Sequence, residues 1–155
     1  MKVNRISLWS IDLTSHETYY MAEGKTCDTV KTHVLCLDTD TGLKGWGEVC
    51  PIPHYLPAFA DGLPSAITEM AGEILGVSPF GADAPMRKLD VHLQGHFHAK
   101  SIVDMALWDL FGKATHQPLY AFRGGRTQVD MPLYHSISCI AAHDMARIAA
   151  EAFAS

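Results

Sequence analysis

The sequence lacks the patterns that identify membrane-bound, nucleic-acid-binding and zinc-binding proteins. None of its apolar runs approaches the roughly 18 residues of a spanning helix, and its first residues do not form a signal peptide. Lysine and arginine total 12 against 17 acids, and the net charge of −5 argues against a phosphate-reading surface. The four cysteines include no C-x-x-C pair. We therefore expect a cytoplasmic protein with no nucleic-acid partner and no membrane partner.

The common signatures of an active site are missing as well. The chain has no Ser-His-Asp signature, no G-x-x-x-x-G-K phosphate loop and no cluster of inward carboxylates. Nine histidines are many for 155 residues, and His92, His96 and His98 lie close together, but no second cluster offers ligand spacing. We interpret the histidines as surface or loop residues. The residues alone predict no catalytic group and no metal ligand in this chain.

Strand patterns are present throughout the first part of the sequence. Strands are predicted at Val3–Leu13, Thr29–Asp38 and Leu43–Val49, and the second of them alternates cleanly between two faces. The turn Asp38-Thr39-Asp40-Thr41-Gly42 supplies short polar side chains and a glycine that tolerates positive φ. The pattern predicts a three-stranded antiparallel meander.

Helical spacing follows a proline-rich loop. Ile67, Met70 and Ile74 recur at helical intervals, and Gly76 is placed to end that helix. Further helices are predicted from about Asp83 to Gly95 and from about His98 to Lys113. The last one would bury Ala99, Ile102, Val103, Ala106, Leu107 and Leu110. Strands followed by helices, rather than alternating with them, indicate an α+β domain.

The last part of the sequence changes pattern once more. Val129–Ile140 is predicted to be a strand and Ala141–Ser155 a helix. A single strand followed by a single helix is half of a repeat, because both elements need neighbours that cover their apolar faces. We therefore expect a chain that is truncated within a βα array.

Two stretches carry candidate functional groups. The long connection His16–Asp28 contains Tyr19 and Tyr20, and we interpret it either as a substrate lid or as a plain mobile loop. Glu48 lies at a strand end beside the proline-rich loop, where a carboxylate caps backbone N–H groups more often than it acts as a general base.

The third predicted helix also contains two acids. Asp104 and Asp109 are five positions apart and diverge by roughly 140° around the helix, so they cannot act as one carboxylate pair. Asp109 and Lys113 are four positions apart and can form an ion pair. Structural roles are therefore predicted for both acids.

The same helix and its surroundings resemble a known family, the mandelate racemase/muconate lactonizing enzyme group of the enolase superfamily. The resemblance is carried by Ala99-Lys100-Ser101-Ile102-Val103-Asp104-Met105-Ala106-Leu107-Trp108-Asp109-Leu110, Gly112-Lys113, Pro118-Leu119-Tyr120, Gly124-Gly125, Asp40-Thr41-Gly42 and Gly45-Trp46-Gly47-Glu48. Phe122-Arg123 departs from the family pattern, which has two aliphatic residues there.

The resemblance implies a fold and a division of the chain. Residues 1–125 would form the family's N-terminal capping domain, a three-stranded meander with helices. Residues 126–155 would begin a truncated (β/α)8 barrel, with Asp130–Ile140 as its first strand and Ala141–Ser155 as its first helix. Enzymes of this family abstract the proton α to a carboxylate with a lysine or histidine base, and Mg²⁺ stabilises the enediolate. These groups would lie beyond residue 155, so the chain alone is predicted to be inactive.

The resemblance also implies where a substrate binds. Two capping loops, at about His16–Asp28 and Cys50–Phe59, would close over the barrel and bind a small carboxylate. The candidate substrate-binding residues are Tyr19, Tyr20, Met21, His54 and Tyr55, with Tyr20 and Tyr55 placed to cover a cationic ring nitrogen.

The loop residues look most like the branch that epimerises or dehydrates proline, hydroxyproline and their betaines. Another racemase, epimerase, dehydratase or cycloisomerase of the same group is the first alternative. A small binding module without chemistry is the second. The full-length enzyme is expected to be a homo-oligomer.

Overall fold

The structure, a computed structural model, describes residues 1–52, 57–81, 83–126 and 130–154. An antiparallel sheet in the order β1-β2-β3 consists of β1 (Val3–Tyr20), β2 (Thr26–Thr39) and β3 (Lys44–Val49). Five helices follow: α1 (Pro57–Ile74), α2 (Asp83–His92), α3 (Phe97–Thr115), α4 (Leu119–Phe122) and α5 (Ala142–Ala154). The predicted meander, the three predicted central helices and the α+β class are confirmed.

The turn between β2 and β3 has the geometry that its sequence predicts. Gly42 has a φ of +83°. The backbone N–H of Thr39 donates to the carbonyl of Leu43 at 3.0 Å, and the Thr39 hydroxyl donates to the same oxygen at 2.9 Å. These bonds fix the register in which Asp38 lies opposite Lys44.

The core lies between the inner face of the sheet and helices α1 and α3. Its fully buried side chains include Leu35, Leu37, Leu63, Met70, Ile74, Leu89, Ile102, Val103, Ala106, Leu107 and Leu110. All six apolar residues predicted to be buried on the third helix are buried. The apolar side chains that alternation places on one face of β2 therefore pack against those that helical spacing places on one face of α1 and of α3.

Helix α3 lies directly on β3 because two glycines leave room for its backbone. A Cβ atom added at Gly45 would lie 2.2 Å from the carbonyl oxygen of Ala106, and one added at Gly47 would lie 2.1 Å from that of Ile102. Carbon and oxygen cannot approach so closely, so only glycine permits this packing.

Polar contacts join the same two elements at the edge of the sheet. Asp109 accepts a hydrogen bond from the backbone N–H of Trp46 at 2.9 Å and pairs with Lys113 at 2.6 Å. Lys113 also donates to the carbonyl of Lys44 at 2.8 Å. The predicted ion pair and the structural role of Asp109 are confirmed.

The departure from the family pattern at Phe122-Arg123 has a clear packing partner. The Phe122 ring lies 4.6 Å from that of Phe111, and the Arg123 guanidinium lies 5.0 Å from the Trp108 ring. Both residues therefore pack onto the aromatic face of α3, and the guanidinium gains a cation–π contact that an aliphatic residue could not make.

The prediction of a long loop at His16–Asp28 is wrong. β1 continues to Tyr20 and β2 begins at Thr26, with only a single 3-10 turn at Ala22–Gly24 between them. The residues of this segment do not alternate between apolar and polar, so the local pattern does not predict a strand. Cross-strand pairing of Tyr19 with Cys27 and of Tyr20 with Thr26 extends the strands nevertheless.

The prediction of a strand at Val129–Ile140 is also wrong over the part that is described. Residues 130–140 form no strand, and Leu133 is 92% exposed. A strand exists only where a neighbouring strand accepts and donates its hydrogen bonds, and none lies beside Leu133 among the described residues. The helix that follows is confirmed as α5, with no buried residue on it.

Of the helices that the structure describes, none combines the length and the apolar character needed to cross a membrane.

Candidate functional site

The hairpin formed by the ends of β1 and β2 carries three of the predicted substrate-binding residues. Tyr19 lies opposite Cys27 and Tyr20 opposite Thr26. Met21 lies between the end of β1 and the 3-10 turn. Pairing is interrupted between Thr14 and Tyr19, where residues 15–18 face a single residue of β2. Such a bulge bends the strand and increases its twist, so the tip can turn away from the plane of the sheet.

The tip of this hairpin is hydrogen bonded to the segment that precedes α5. The hydroxyls of Tyr19 and Ser136 lie 2.5 Å apart, and the Tyr19 hydroxyl lies 3.4 Å from the carbonyl of Ile137. The backbone N–H of Cys139 donates to the carbonyl of Tyr20 at 2.8 Å. The backbone N–H of Tyr20 donates to the Ser138 hydroxyl at 3.3 Å. Segments more than 110 positions apart therefore meet at this point.

These contacts border a cavity of about 480 Å³. It is lined by Ser15, Tyr19, Tyr20, Met21, Ala22, Cys27, Ile52, Ile137 and Cys139. The described lining contains apolar side chains, thiols and hydroxyls, but no ionisable acid or base of the Asp, Glu, Lys, Arg or His type. Such a surface suits the hydrocarbon part of a small ligand and leaves a charged group to be recognised elsewhere.

Of the predicted substrate-binding residues, Tyr19, Tyr20 and Met21 line this cavity, whereas His54 and Tyr55 lie outside the described residues. Sequence reasoning did not identify Ile52, Ile137 and Cys139 as neighbours of the tyrosines. For Ile137 and Cys139, position in the predicted fold was the only available signal. The end of the predicted first barrel strand would lie at the face where barrel enzymes bind their substrates.

Glu48 has a structural role, but not the predicted one. Its Oε1 accepts a hydrogen bond from the hydroxyl of Thr32 on the neighbouring strand at 2.7 Å, rather than capping backbone N–H groups. Thr32 itself is buried. The carboxylate is thereby held against the sheet, which suits a structural role better than that of a general base.

The Cys50 thiol, directly after β3, is not activated for nucleophilic chemistry. Burial raises the pKa of Cys50, and the nearby charges of Glu48 and Cys27 act in the same direction. A raised thiol pKa lowers the fraction of reactive thiolate at neutral pH. All four cysteines are free thiols.

No metal centre is assembled by the part of the chain that the structure describes. Within residues 1–52, 57–81, 83–126 and 130–154, no three His, Cys, Asp or Glu side chains are grouped so that they could hold an ion. Hard divalent cations such as Mg²⁺ need several oxygen ligands from carboxylates and waters. The described residues therefore do not fit a magnesium ion.

Comparison with known proteins places the chain among enzymes of one family. The model of the mandelate racemase/muconate lactonizing enzyme N-terminal domain matches residues 12–124. A cis-3-hydroxy-L-proline dehydratase from Roseibium aggregatum is 40% identical over 95% of this chain and 41% of its own length. An N-succinyl-L-Arg/Lys racemase from Bacillus cereus is 26% identical over 97% of this chain and 41% of its own. The chain thus spans about two fifths of the length of these curated relatives.

Solved structures give the same result. A putative mandelate racemase/muconate lactonizing enzyme from Roseovarius nubinhibens, complexed with magnesium, superposes with a TM-score of 0.90 at 31% identity. The alignment covers 99% of this chain and 42% of that one. A dipeptide epimerase from Enterococcus faecalis, complexed with magnesium and a dipeptide, aligns over 79% of this chain and 34% of its own, with a TM-score of 0.72 at 25% identity.

Proposed function

Because this chain belongs to the mandelate racemase/muconate lactonizing enzyme family, as its N-terminal domain, we propose that it is the capping part of a longer enzyme that abstracts the proton α to a carboxylate. Residues 1–125 are the cap, and residues 126–155 begin the catalytic barrel. The substrate is a small carboxylate, of which a 3-hydroxyproline is the first candidate. The reaction is the loss of water from that substrate.

One observation supports this proposal more than any other: the hairpin tip is bonded to residues 136–139. In the proposed division these residues lie just before α5, the first barrel helix, although they form no strand themselves. Barrel enzymes build their active sites from the connections that lead into these helices. The contacts of Tyr19 and Tyr20 with Ser136, Ser138 and Cys139 therefore support a cap that lies over the mouth of the barrel.

The composition of the cavity supports the substrate class. Its described lining is apolar or hydroxylic, which suits the ring methylenes of a proline-like acid. Tyr19, Tyr20 and Met21, with His54 and Tyr55, are proposed to line the substrate site. The 40% identical relative is a cis-3-hydroxy-L-proline dehydratase, which makes that substrate the first one to test.

The contribution of this chain to the chemistry is enclosure and orientation. The α-proton of a carboxylate is weakly acidic, and in this family Mg²⁺ supplies the positive charge that makes its removal accessible. The described residues do not form that metal site. In our proposal the metal ligands and the base belong to the rest of the enzyme. The cap residues exclude water and hold the substrate, which lowers KM more than it raises kcat.

Racemisation or epimerisation is the second candidate reaction. It is favoured by the Bacillus cereus racemase and by an L-Ala-D/L-Glu epimerase from Bacillus subtilis that is 30% identical over 81% of this chain. Both reactions begin with loss of the same proton. They differ in whether the intermediate then loses hydroxide or regains a proton on its opposite face.

An assay of the full-length enzyme in D₂O with Mg²⁺ separates these outcomes. With cis-3-hydroxy-L-proline we expect ¹H NMR to show loss of the C2 and C3 signals as water is eliminated. Trans-4-hydroxy-L-proline is the control, because its hydroxyl is not on the carbon next to the α-carbon. Exchange with inversion and no dehydration would favour an epimerase. Absence of both dehydration and C2 exchange with either substrate would contradict the proposal.

The proposal also covers the cellular compartment and the oligomeric state of the full-length enzyme. We place it in the cytoplasm as a homo-oligomer, and four free cysteines are compatible with a reducing compartment.

A further inference from the structure

Three aromatic side chains form a cleft between α3 and the segment that precedes α2. Phe80 precedes α2, while Trp108 and Phe111 are three positions apart on α3. The Phe111 ring lies 6.0 Å from that of Phe80 at 79° and 5.7 Å from that of Trp108 at 86°. Two rings therefore stand nearly perpendicular to the third around a space of about 270 Å³.

The rest of this aromatic cleft is acidic rather than basic. Pro79, Gly81 and Asp83 complete its described lining, which contains no cationic side chain. Asp104 lies one helical turn before Trp108, outside the lining, and Asp83 places a carboxylate in the lining itself. The charge of the described lining is therefore negative.

Asp104 and Arg123 are the charged residues beside the aromatic cleft. Burial raises the pKa of Asp104, and the like charge of Asp83 acts in the same direction, while Arg123 and the Trp108 indole oppose it. Arg123 is the nearby cation, and it already lies 5.0 Å from the Trp108 ring. It lines the neighbouring cavity rather than the aromatic cleft.

We propose that the aromatic cleft of Phe80, Trp108 and Phe111 binds a small organic cation of the alkylated ammonium class. The face of an aromatic ring attracts a cation, and a methylated ammonium needs no hydrogen-bond acceptor to fill an aromatic space whose lining includes the Asp83 carboxylate. Phe80 is 57% exposed, so one wall is open for the ligand to enter. This site goes beyond the proposed dehydratase function and uses none of its residues.

The test compares a cation with a neutral molecule of the same shape. Choline and 3,3-dimethylbutan-1-ol are titrated into the chain at constant ionic strength, and the indole N–H signal of Trp108 is followed by ¹H–¹⁵N NMR. We expect saturable shifts with choline and binding of the alcohol weaker by about tenfold. Equal affinities would identify an unspecific apolar cleft and overturn the proposal, as would the absence of a saturable shift.

Two substitutions locate the binding. Phe80→Leu keeps an apolar side chain but removes one π-face, and it should weaken choline binding by about fivefold or more. Phe97→Leu removes another exposed phenylalanine of α3, outside the cleft, and should leave the affinity unchanged. Far-UV circular dichroism and thermal melting show that both variants remain folded. An equal effect of the two substitutions, or no effect of Phe80→Leu, would overturn the site.

Discussion

At the scale of single residues, two glycines and one carboxylate determine how the outer strands are held. Gly45 and Gly47 let the backbone of α3 lie against β3, and Asp38 holds cations from two strands. The two glycines are two positions apart in the predicted strand Leu43–Val49, so they share one face of it. The sequence of the strand does not predict their role, because that role depends on the close approach of a distant helix.

Replacing Gly47 by alanine should destabilise the domain by about 3 kcal/mol, because the new Cβ would lie 2.1 Å from the carbonyl oxygen of Ile102. Urea unfolding followed by tryptophan fluorescence measures the change. Gly72→Ala is the matched control. Gly72 lies within α1 with no atom within 4 Å of its added Cβ, so alanine there should be neutral or stabilise by up to about 1 kcal/mol. Equal effects of both substitutions would contradict this account of the packing.

Asp38 should make the stability of the domain depend on acid pH. The hydrogen bond from Arg5, at 3.0 Å, lowers the pKa of Asp38, and the charge of Lys44 acts in the same direction. A carboxyl whose pKa is lower in the folded state stabilises the protein above its unfolded pKa of about 4. That contribution is lost as the pH falls through the lower folded value.

The Asp38→Asn variant isolates this contribution. Its free energy of unfolding should fall less than that of the wild type as the pH is lowered from about 6 to about 3. Asp12→Asn, on an exposed position of β1, serves as the control and should keep the pH profile of the wild type. Parallel profiles for the wild type and Asp38→Asn would refute the assignment.

At the scale of elements, predictions succeeded where periodicity and burial agree. The β2–β3 hairpin followed from alternation and a glycine turn, and α3 followed from six apolar residues on one face. The extension of β1 to Tyr20 was not predictable in the same way. Its register includes a bulge at residues 15–18, and Glu23 turns the chain with a φ of +61° although it is not glycine.

The strand predicted before α5 is absent, because a strand needs a partner as well as a suitable local pattern. Residues 130–140 have the apolar composition of a strand, but composition does not supply a partner. Ser136, Ser138 and Cys139 bond to the hairpin tip through side chains and single backbone contacts instead of a ladder. The part of the candidate site at residues 136–139 is thus positioned by contacts with a distant segment of the chain. A local sequence pattern cannot show such contacts.

The hydroxyl of Tyr19 should hold the segment before α5 on the hairpin. Tyr19→Phe removes the contacts to Ser136 and Ile137, and we expect amide exchange at residues 136–139 to become several-fold faster. Tyr20→Phe is the control, because the contacts of Tyr20 to this segment use its backbone N–H and carbonyl. Unchanged exchange in Tyr19→Phe, or an equal increase in both variants, would argue against this role of the hydroxyl.

At the scale of the whole molecule, burial is concentrated in the first two thirds of the chain. Among the residues whose burial the structure describes, every fully buried side chain lies between Val3 and Leu110. Large apolar side chains after the cap are exposed instead: Met131 by 76%, Leu133 by 92%, Tyr134 by 91% and Phe153 by 96%. The described chain is therefore one packed domain followed by a segment whose apolar surface has no cover. This distribution matches the proposed division into cap and barrel.

Removing residues 127–155 should consequently leave the stability of the cap almost unchanged. No described residue of 130–154 is buried, so little apolar area returns to water, and we expect the free energy of unfolding to change by less than about 1 kcal/mol. Trp9, Trp46 and Trp108 all remain in residues 1–126, so the same fluorescence signal reports on both proteins. Amide exchange near Tyr19 and Tyr20 should rise locally, because their partners at 136–139 are gone. A loss of several kcal/mol, or loss of cooperative unfolding, would show that the last segment belongs to the same folding unit and that the boundary near residue 125 is misplaced.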